Sequence, residues 1–189
     1  MTGTATKLLS EARELIANTG YNGFSYADLS TRLGIRKASI HHHFPSKVDL
    51  VVAAVEQART AIRGQIAALE EGSPVAIDQL LGYTGYWERC IRDNAAPFCL
   101  AAVLAAELPG LPPEIGTAVR GHFVDLGDWL ERLLKMGVEQ GSMRLQGSAK
   151  LEADVFMATV YGAMLASRAY DDPDRFAAIT EGAIQRIRA

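Results

Sequence analysis

The chain has little of what holds together a small exported domain or a metal centre. Only two cysteines, Cys90 and Cys99, occur in 189 residues. They make no disulfide framework, no Cys/His spacing matches a zinc site, and both suit a reducing compartment. No apolar run reaches the ~20 residues of a membrane span, and Met1 to Lys7 lacks the basic flank and apolar core of an export signal. These absences lead us to expect a cytoplasmic protein without membrane contact. No strand-like alternation competes anywhere, and there is no internal repeat or low-complexity tract. Paired carboxylates, triad-like strings, phosphate-cradling loops and metal-ligand clusters are also missing. The run His41-His42-His43 does not supply one, because consecutive helical residues point about 100° apart and cannot converge on one ion. No cofactor is expected.

What is present is an ordinary globular composition, 49% hydrophobic and 22% charged, large enough for one or two domains with a real core. The net charge of −3 argues at first against a nucleic-acid partner. Its distribution argues the other way. Residues 1–50 hold six basic side chains (Lys7, Arg13, Arg32, Arg36, Lys37, Lys47) and four acidic ones (Glu11, Glu14, Asp28, Asp49), a local charge of +2 against −5 for the remainder. A small basic module on an acidic body keeps phosphate attraction local.

Residues 24–50 organise that module. Ser25 followed by Asp28 forms a capping box, so a helix starts at Ser25. Its apolar positions Ala27, Leu29 and Leu33 recur at helical spacing, and Gly34 follows where a left-handed residue ends a helix. A second short helix, Lys37 to Phe44, places Ile40 and Phe44 on one face and leaves Lys37, Ser39, His41 and His42 on others. Pro45 stops it, and Ser46 with Asp49 forms a second capping box opening a long helix. Lys47 in the first turn of that helix opposes its dipole at a cost of roughly 0.3–1 kcal/mol, and a phosphate there would reverse the sign.

The string Gly34-Ile35-Arg36-Lys37-Ala38-Ser39-Ile40-His41-His42-His43-Phe44-Pro45-Ser46-Lys47-Val48-Asp49-Leu50 resembles the recognition helix and following cap of the TetR family of bacterial transcriptional regulators. The likeness extends upstream through Ala12-Arg13-Glu14-Leu15-Ile16 and Gly20-Tyr21-Asn22-Gly23-Phe24-Ser25. It implies that Lys37, Ser39, His41, His42 and Lys47 stand at positions that touch DNA. The family usually has Tyr where this chain has His41, a residue type whose charge changes near pH ~6.5.

Elsewhere the pattern is helical throughout. Leu8, Ala12, Leu15 and Ile16 line a first helix, Lys7 to Ala17, ended by Gly20, and the module's core is expected from Leu15, Ile16, Leu29, Leu33, Ile40, Phe44 and Leu50. The helix opened at Ser46 runs unbroken to Glu71-Gly72-Ser73-Pro74, roughly 36 Å, as a rod linking the DNA module to the remaining helices. Helices are expected over Val75–Asp93, from Pro97 through the apolar segment Phe98–Leu108, from Pro113 to about Gln140, over Leu151–Tyr170 and over Phe176–Ile187. The fold expected is therefore all-α, about nine helices, with a helix-turn-helix domain at 1–50 and a helical ligand-binding and dimerisation domain at 51–189.

In the penultimate helix Ala158, Gly162 and Ala166 recur every four residues, a small-residue stripe that suits either internal packing or a close interface. With the family resemblance it implies a homodimer, as two operator half-sites require. The resemblance also implies release from a double-stranded DNA operator by a small molecule. Its lining here would be Tyr83, Trp87, Cys90, Phe98, Cys99, Phe123, Trp129 and Met164, which points to a hydrophobic or aromatic inducer, although the same residues also serve as plain core. Cys99, near a helix start, is alternatively a thiol sensor of oxidants or electrophiles, or simply a buried apolar residue. An enzyme using the aromatic cavity is a remote alternative resting on Glu107 alone, and a DNA-binding protein without a sensor would not need the second body.

Overall fold

The computed structural model describes residues 3–93 and 98–189. Among them are nine α-helices and one 3-10 turn, with no strand. The helices are α1 (Gly3–Thr19), α2 (Tyr26–Leu33), α3 (Lys37–His43), α4 (Lys47–Gly72), α5 (Ala76–Arg92), α6 (Leu100–Glu107), α7 (Pro113–Glu139), α8 (Ala149–Tyr170) and α9 (Asp174–Ile187). Between α6 and α7 the chain forms the 3-10 turn Leu108–Gly110. Pro97, expected to open the sixth helix, lies outside the described residues.

Local chemistry sets most boundaries. Asp28 Oδ2 accepts from the Ser25 backbone N–H at 2.7 Å while Ser25 Oγ accepts from Ala27 N–H at 3.2 Å. The second cap is reciprocal: Ser46 N–H donates to Asp49 Oδ2 at 2.9 Å and Asp49 N–H to Ser46 Oγ at 3.2 Å. Each cap is worth about 1 kcal/mol. Gly34 takes φ +64°, a left-handed turn closed by its N–H to Ser30 O, and this sets α3 against α2. α4 has 26 residues, about 39 Å of continuous helix.

Two compact units form, each from two stretches of chain. The first comprises the described part of Met1–Ala61 with Cys99–His122, the second that of Ile62–Phe98 with Phe123–Ala189. This division differs from one at residue 50, because α6 packs on α1 and belongs with the N-terminal helices.

In the first unit Leu8, Leu9, Ala12, Ile16, Leu29, Ile40 and Leu50 are all within 1% of complete burial. Each large aliphatic side chain among them contributes roughly 1.5–3 kcal/mol. Leu33, expected in this core, is only half-buried, since it closes the last turn of α2 at the module's edge. In the second unit α8 packs on α9 and α5 on α9. Leu80, Trp129, Leu134, Val160, Met164 and Phe176 are closed off from solvent. Arg144 N–H donates to Ile187 O at 2.7 Å and Ala189 N–H to Ser142 O at 3.2 Å, tying the end of the chain to the loop between α7 and α8.

Candidate functional site

α3 is the exposed element of the first unit with the most donors and no acid. Ile40 anchors it in the core, while Lys37, His41 and His42 are exposed and Ser39 is half-buried. His41 Nδ1 lies 3.1 Å from Pro45 O. A carbonyl only accepts, so this contact puts a hydrogen on Nδ1. The ring also meets Tyr26 edge-on at 4.9 Å, and the His42 and His43 rings lie 5.3 Å apart.

Tyr26 braces the turn after α3. Its hydroxyl lies 2.9 Å from Phe44 O and 2.6 Å from Ser46 O, so one hydrogen is shared by two carbonyls. Burial first, and then the Asp49 carboxylate and Tyr21, push its pKa up to about 12.

Lys47 stands apart from the other four expected contacts. Its ammonium donates to Tyr21 O and, at 2.5 Å, to Phe24 O, and it lies over the Tyr21 and Phe24 rings at 4.4 and 4.2 Å. Burial lowers its pKa against the pull of Asp28 and Glu107. The side chain thus holds the α1–α2 connection against the start of α4. Glu107 of α6 meets the same connection, accepting from Tyr21 N–H at 2.9 Å. Gly20, at φ +73°, makes room for it, because a Cβ there would sit 1.9 Å from Glu107 Oε1. Glu107, the slender basis for an enzyme, therefore has a structural partner.

The eight residues expected to line a ligand pocket are dispersed. Tyr83, Trp87, Trp129 and Met164 are buried in the second unit, where Tyr83 meets Trp129 edge-on at 5.3 Å. Cys90, Phe98 and Phe123 are half-buried; Phe123 lies against Tyr161 at 5.2 Å and Phe98 under Arg168 at 5.5 Å. Cys99 is in the first unit, 4% exposed, with its Sγ 3.7 Å from His122 Nε2.

A cavity of about 200 Å³ opens between the C-terminal half of α4 and α5, lined by Ile62, Gln65, Ile66, Ala68, Leu69, Gly82, Tyr83, Tyr86 and Arg89. Tyr83 alone of the expected residues borders it. The signal for the others is the spacing of Gly82, Tyr86 and Arg89 along one side of α5, opposite Ile62, Gln65 and Leu69 on α4. Among the described residues no three His, Cys, Asp or Glu side chains stand together as a metal site, and no helix is long and apolar enough to cross a membrane.

On α8 the exposed positions include Leu151, Val155, Ala158, Gly162 and Leu165, a heptad-like stripe, with Ala166 half-buried beside it. Leu151, Val155 and Leu165 are 56%, 52% and 59% exposed. Large aliphatic side chains in a row on a helix surface are unusual in an isolated monomer.

A capped helix-turn-helix with a basic, acid-free second helix, followed by a separate helical body, defines a DNA-binding transcriptional regulator. Residues 8–54 match the family model of the bacterial regulatory proteins, tetR family, and residues 76–184 that of the tetracyclin repressor-like C-terminal domain. The chain belongs to the TetR family. A TetR-family transcriptional regulator from Agrobacterium tumefaciens is 50% identical, with a TM-score of 0.96 over 98% of this chain and 97% of its own. A TetR regulator from Legionella pneumophila is 26% identical, with a TM-score of 0.88 over 99% and 98%. The HTH-type transcriptional regulator CymR of Pseudomonas putida is 29% identical over 143 residues, 72% of this chain and 68% of that protein.

Proposed function

We propose that this protein is a repressor that binds a palindromic double-stranded operator as a homodimer and leaves it when a small apolar or aromatic inducer occupies the second unit. The observation that carries the DNA-binding part is the exposed face of α3, where Lys37, His41 and His42 stand together without an acidic neighbour on the helix. In this reading Lys37, Ser39, His41 and His42 face the groove and flanking phosphates. Lys47 reaches phosphate only by exchanging the Tyr21 and Phe24 carbonyls for it. The stripe of α8, with Ala158, Gly162 and Ala166 at its centre, supports pairing of two copies.

The test is to challenge an operator complex with a panel of apolar and aromatic compounds. Release by one of them, reversed on its removal, is expected. A complex indifferent to every compound would contradict the sensor.

A second reading rests on the contact of Cys99, at the start of α6, with His122 of α7, two buried side chains 3.7 Å apart; α6 is the helix whose Glu107 holds the α1–α2 connection. An imidazole beside a thiol can take its proton and favour the thiolate. Modification of Cys99 would then disturb the grip of α6 on the helix-turn-helix. Loss of operator binding on oxidation, prevented in Cys99→Ser, is the outcome this reading requires; equal sensitivity in wild type and Cys99→Ser would remove it.

A further inference from the structure

The size and lining of the cavity between α4 and α5 restrict the class of molecule that it can hold. At about 200 Å³ it is little larger than the roughly 150 Å³ apolar cavities known to admit benzene. It takes one ring, or a branched group of that size, with a short substituent. Leu69 and Gly82 pinch one end, since a Cβ on Gly82 would lie 2.4 Å from Leu69 Cδ2. Ile62, Ile66 and Tyr83 supply apolar wall, while Gln65 and Arg89 supply the polar groups other than the tyrosine hydroxyls.

The charges on these helices are not treated alike. Arg63 of α4 pairs with Asp125 at 2.7 Å, and Arg92, one turn beyond Arg89, pairs with Glu88 at 3.2 Å and Asp174 at 2.8 Å. Arg89 is exposed at the rim of the cavity, and no carboxylate is among the residues that line it. The field of the α5 C-terminus favours a cation in this last turn, and the planar donor fork of the guanidinium is open to a ligand arriving from solution. A carboxylate matches that fork with two parallel hydrogen bonds.

We infer that this cavity binds a small aromatic or branched apolar monocarboxylate, its body between Ile66, Leu69 and Tyr83 and its carboxylate at the mouth, held by Arg89 and the Gln65 amide. The inference rests on the sensor reading above and names the ligand class. It also identifies Arg89 as the residue that discriminates acids from neutral molecules of the same shape.

The experiment uses the full chain and calorimetric titration with benzoate, phenylacetate and 3-phenylpropionate beside their primary amides, which keep the shape and remove the charge. At least one acid binds roughly tenfold or more tightly than its amide, and the preference weakens with added salt, as a partly exposed ion pair must. Arg89→Gln brings that acid to the level of its amide and leaves the amide unchanged. Ala68→Phe, which fills the groove from an exposed position, abolishes both. Melting curves of the two variants check that each is folded.

Amides binding as well as acids, or an acid indifferent to Arg89→Gln, would overturn the carboxylate assignment. Undiminished binding in Ala68→Phe would overturn the site, and no binding by any of the six compounds would overturn both. Operator release by other compounds, measured on the same preparation and unaffected by either variant, would leave the sensor standing while removing this cavity from it.

Discussion

Tyr26 and Lys47 show how single residues set the geometry that the DNA-facing helix depends on. Tyr26→Phe removes the hydrogen shared by Phe44 O and Ser46 O, two carbonyls at the turn that aims α3. Denaturant titration should show a loss of about 1 kcal/mol, the net worth of a part-buried hydrogen bond, since Ser46 O keeps the Leu50 N–H at 3.2 Å. The pH dependence has a definite sign. With the folded pKa raised to about 12 from 10.0, the native state keeps a proton that the unfolded chain gives up. Stability from this group is fully present below about pH 10 and is lost as pH rises through about 12. The gap in melting temperature between wild type and Tyr26→Phe should therefore narrow across that interval, and a constant gap would contradict the assignment. Lys47→Ala separates two roles. If the ammonium reaches phosphate, the variant binds every duplex more weakly and the slope of log K against log salt falls in magnitude by about one. If it only braces the Tyr21 and Phe24 carbonyls, the melting temperature falls while the slope is unchanged.

At the scale of helices, the devices visible in the sequence are those built from neighbours. Ser25 with Asp28, Ser46 with Asp49, and Gly34 each act within one turn, so their spacing identifies them and places the helix limits to within a few residues. Lys47 reads as a free cation in the sequence because its partners Tyr21 and Phe24 lie more than twenty residues away and reach it only through the fold. The cavity is obscure for a related reason. Aromatic residues such as Tyr83, Trp87 and Trp129 suggest where a ligand would sit, yet Trp87 and Trp129 are buried and do not line this opening, which arises where stripes of two helices face one another.

The α8 stripe yields the prediction of this scale. Gly162 has open space around its Cα, so Gly162→Lys clashes with nothing in its own chain and should raise intrinsic helix stability by up to about 1 kcal/mol. Two lysines brought face to face across a symmetric interface repel. Sedimentation should show the wild type as a dimer and the variant as a folded monomer. A variant that remains dimeric would remove this stripe from the interface.

At the scale of the molecule, the division of labour is written in connectivity more than in charge. α4 and α7 each contribute residues to both compact units, and α6 joins the unit of the DNA-facing helices although it follows α5 in the chain. That arrangement cannot be read from composition, which places the boundary near residue 50 from a change in charge and motif content. The family, the helical class and the recognition helix are legible because they rest on a contiguous string. The pairing of distant elements is not, because it depends on which apolar faces meet.

The central claim, a dimer reading a palindrome through α3, is met most directly by selecting duplexes from random DNA with the purified protein and footprinting the result. The account predicts a two-fold symmetric sequence with half-sites spaced by about one helical turn, ~34 Å, or a multiple of it, and two copies of the chain per site or a multiple of two. It also predicts that substitutions at Ser39 change the preferred bases, whereas Lys37→Ala weakens binding alike on all of them. Recovery of no common sequence, or of an asymmetric site bound by a single chain, would contradict it.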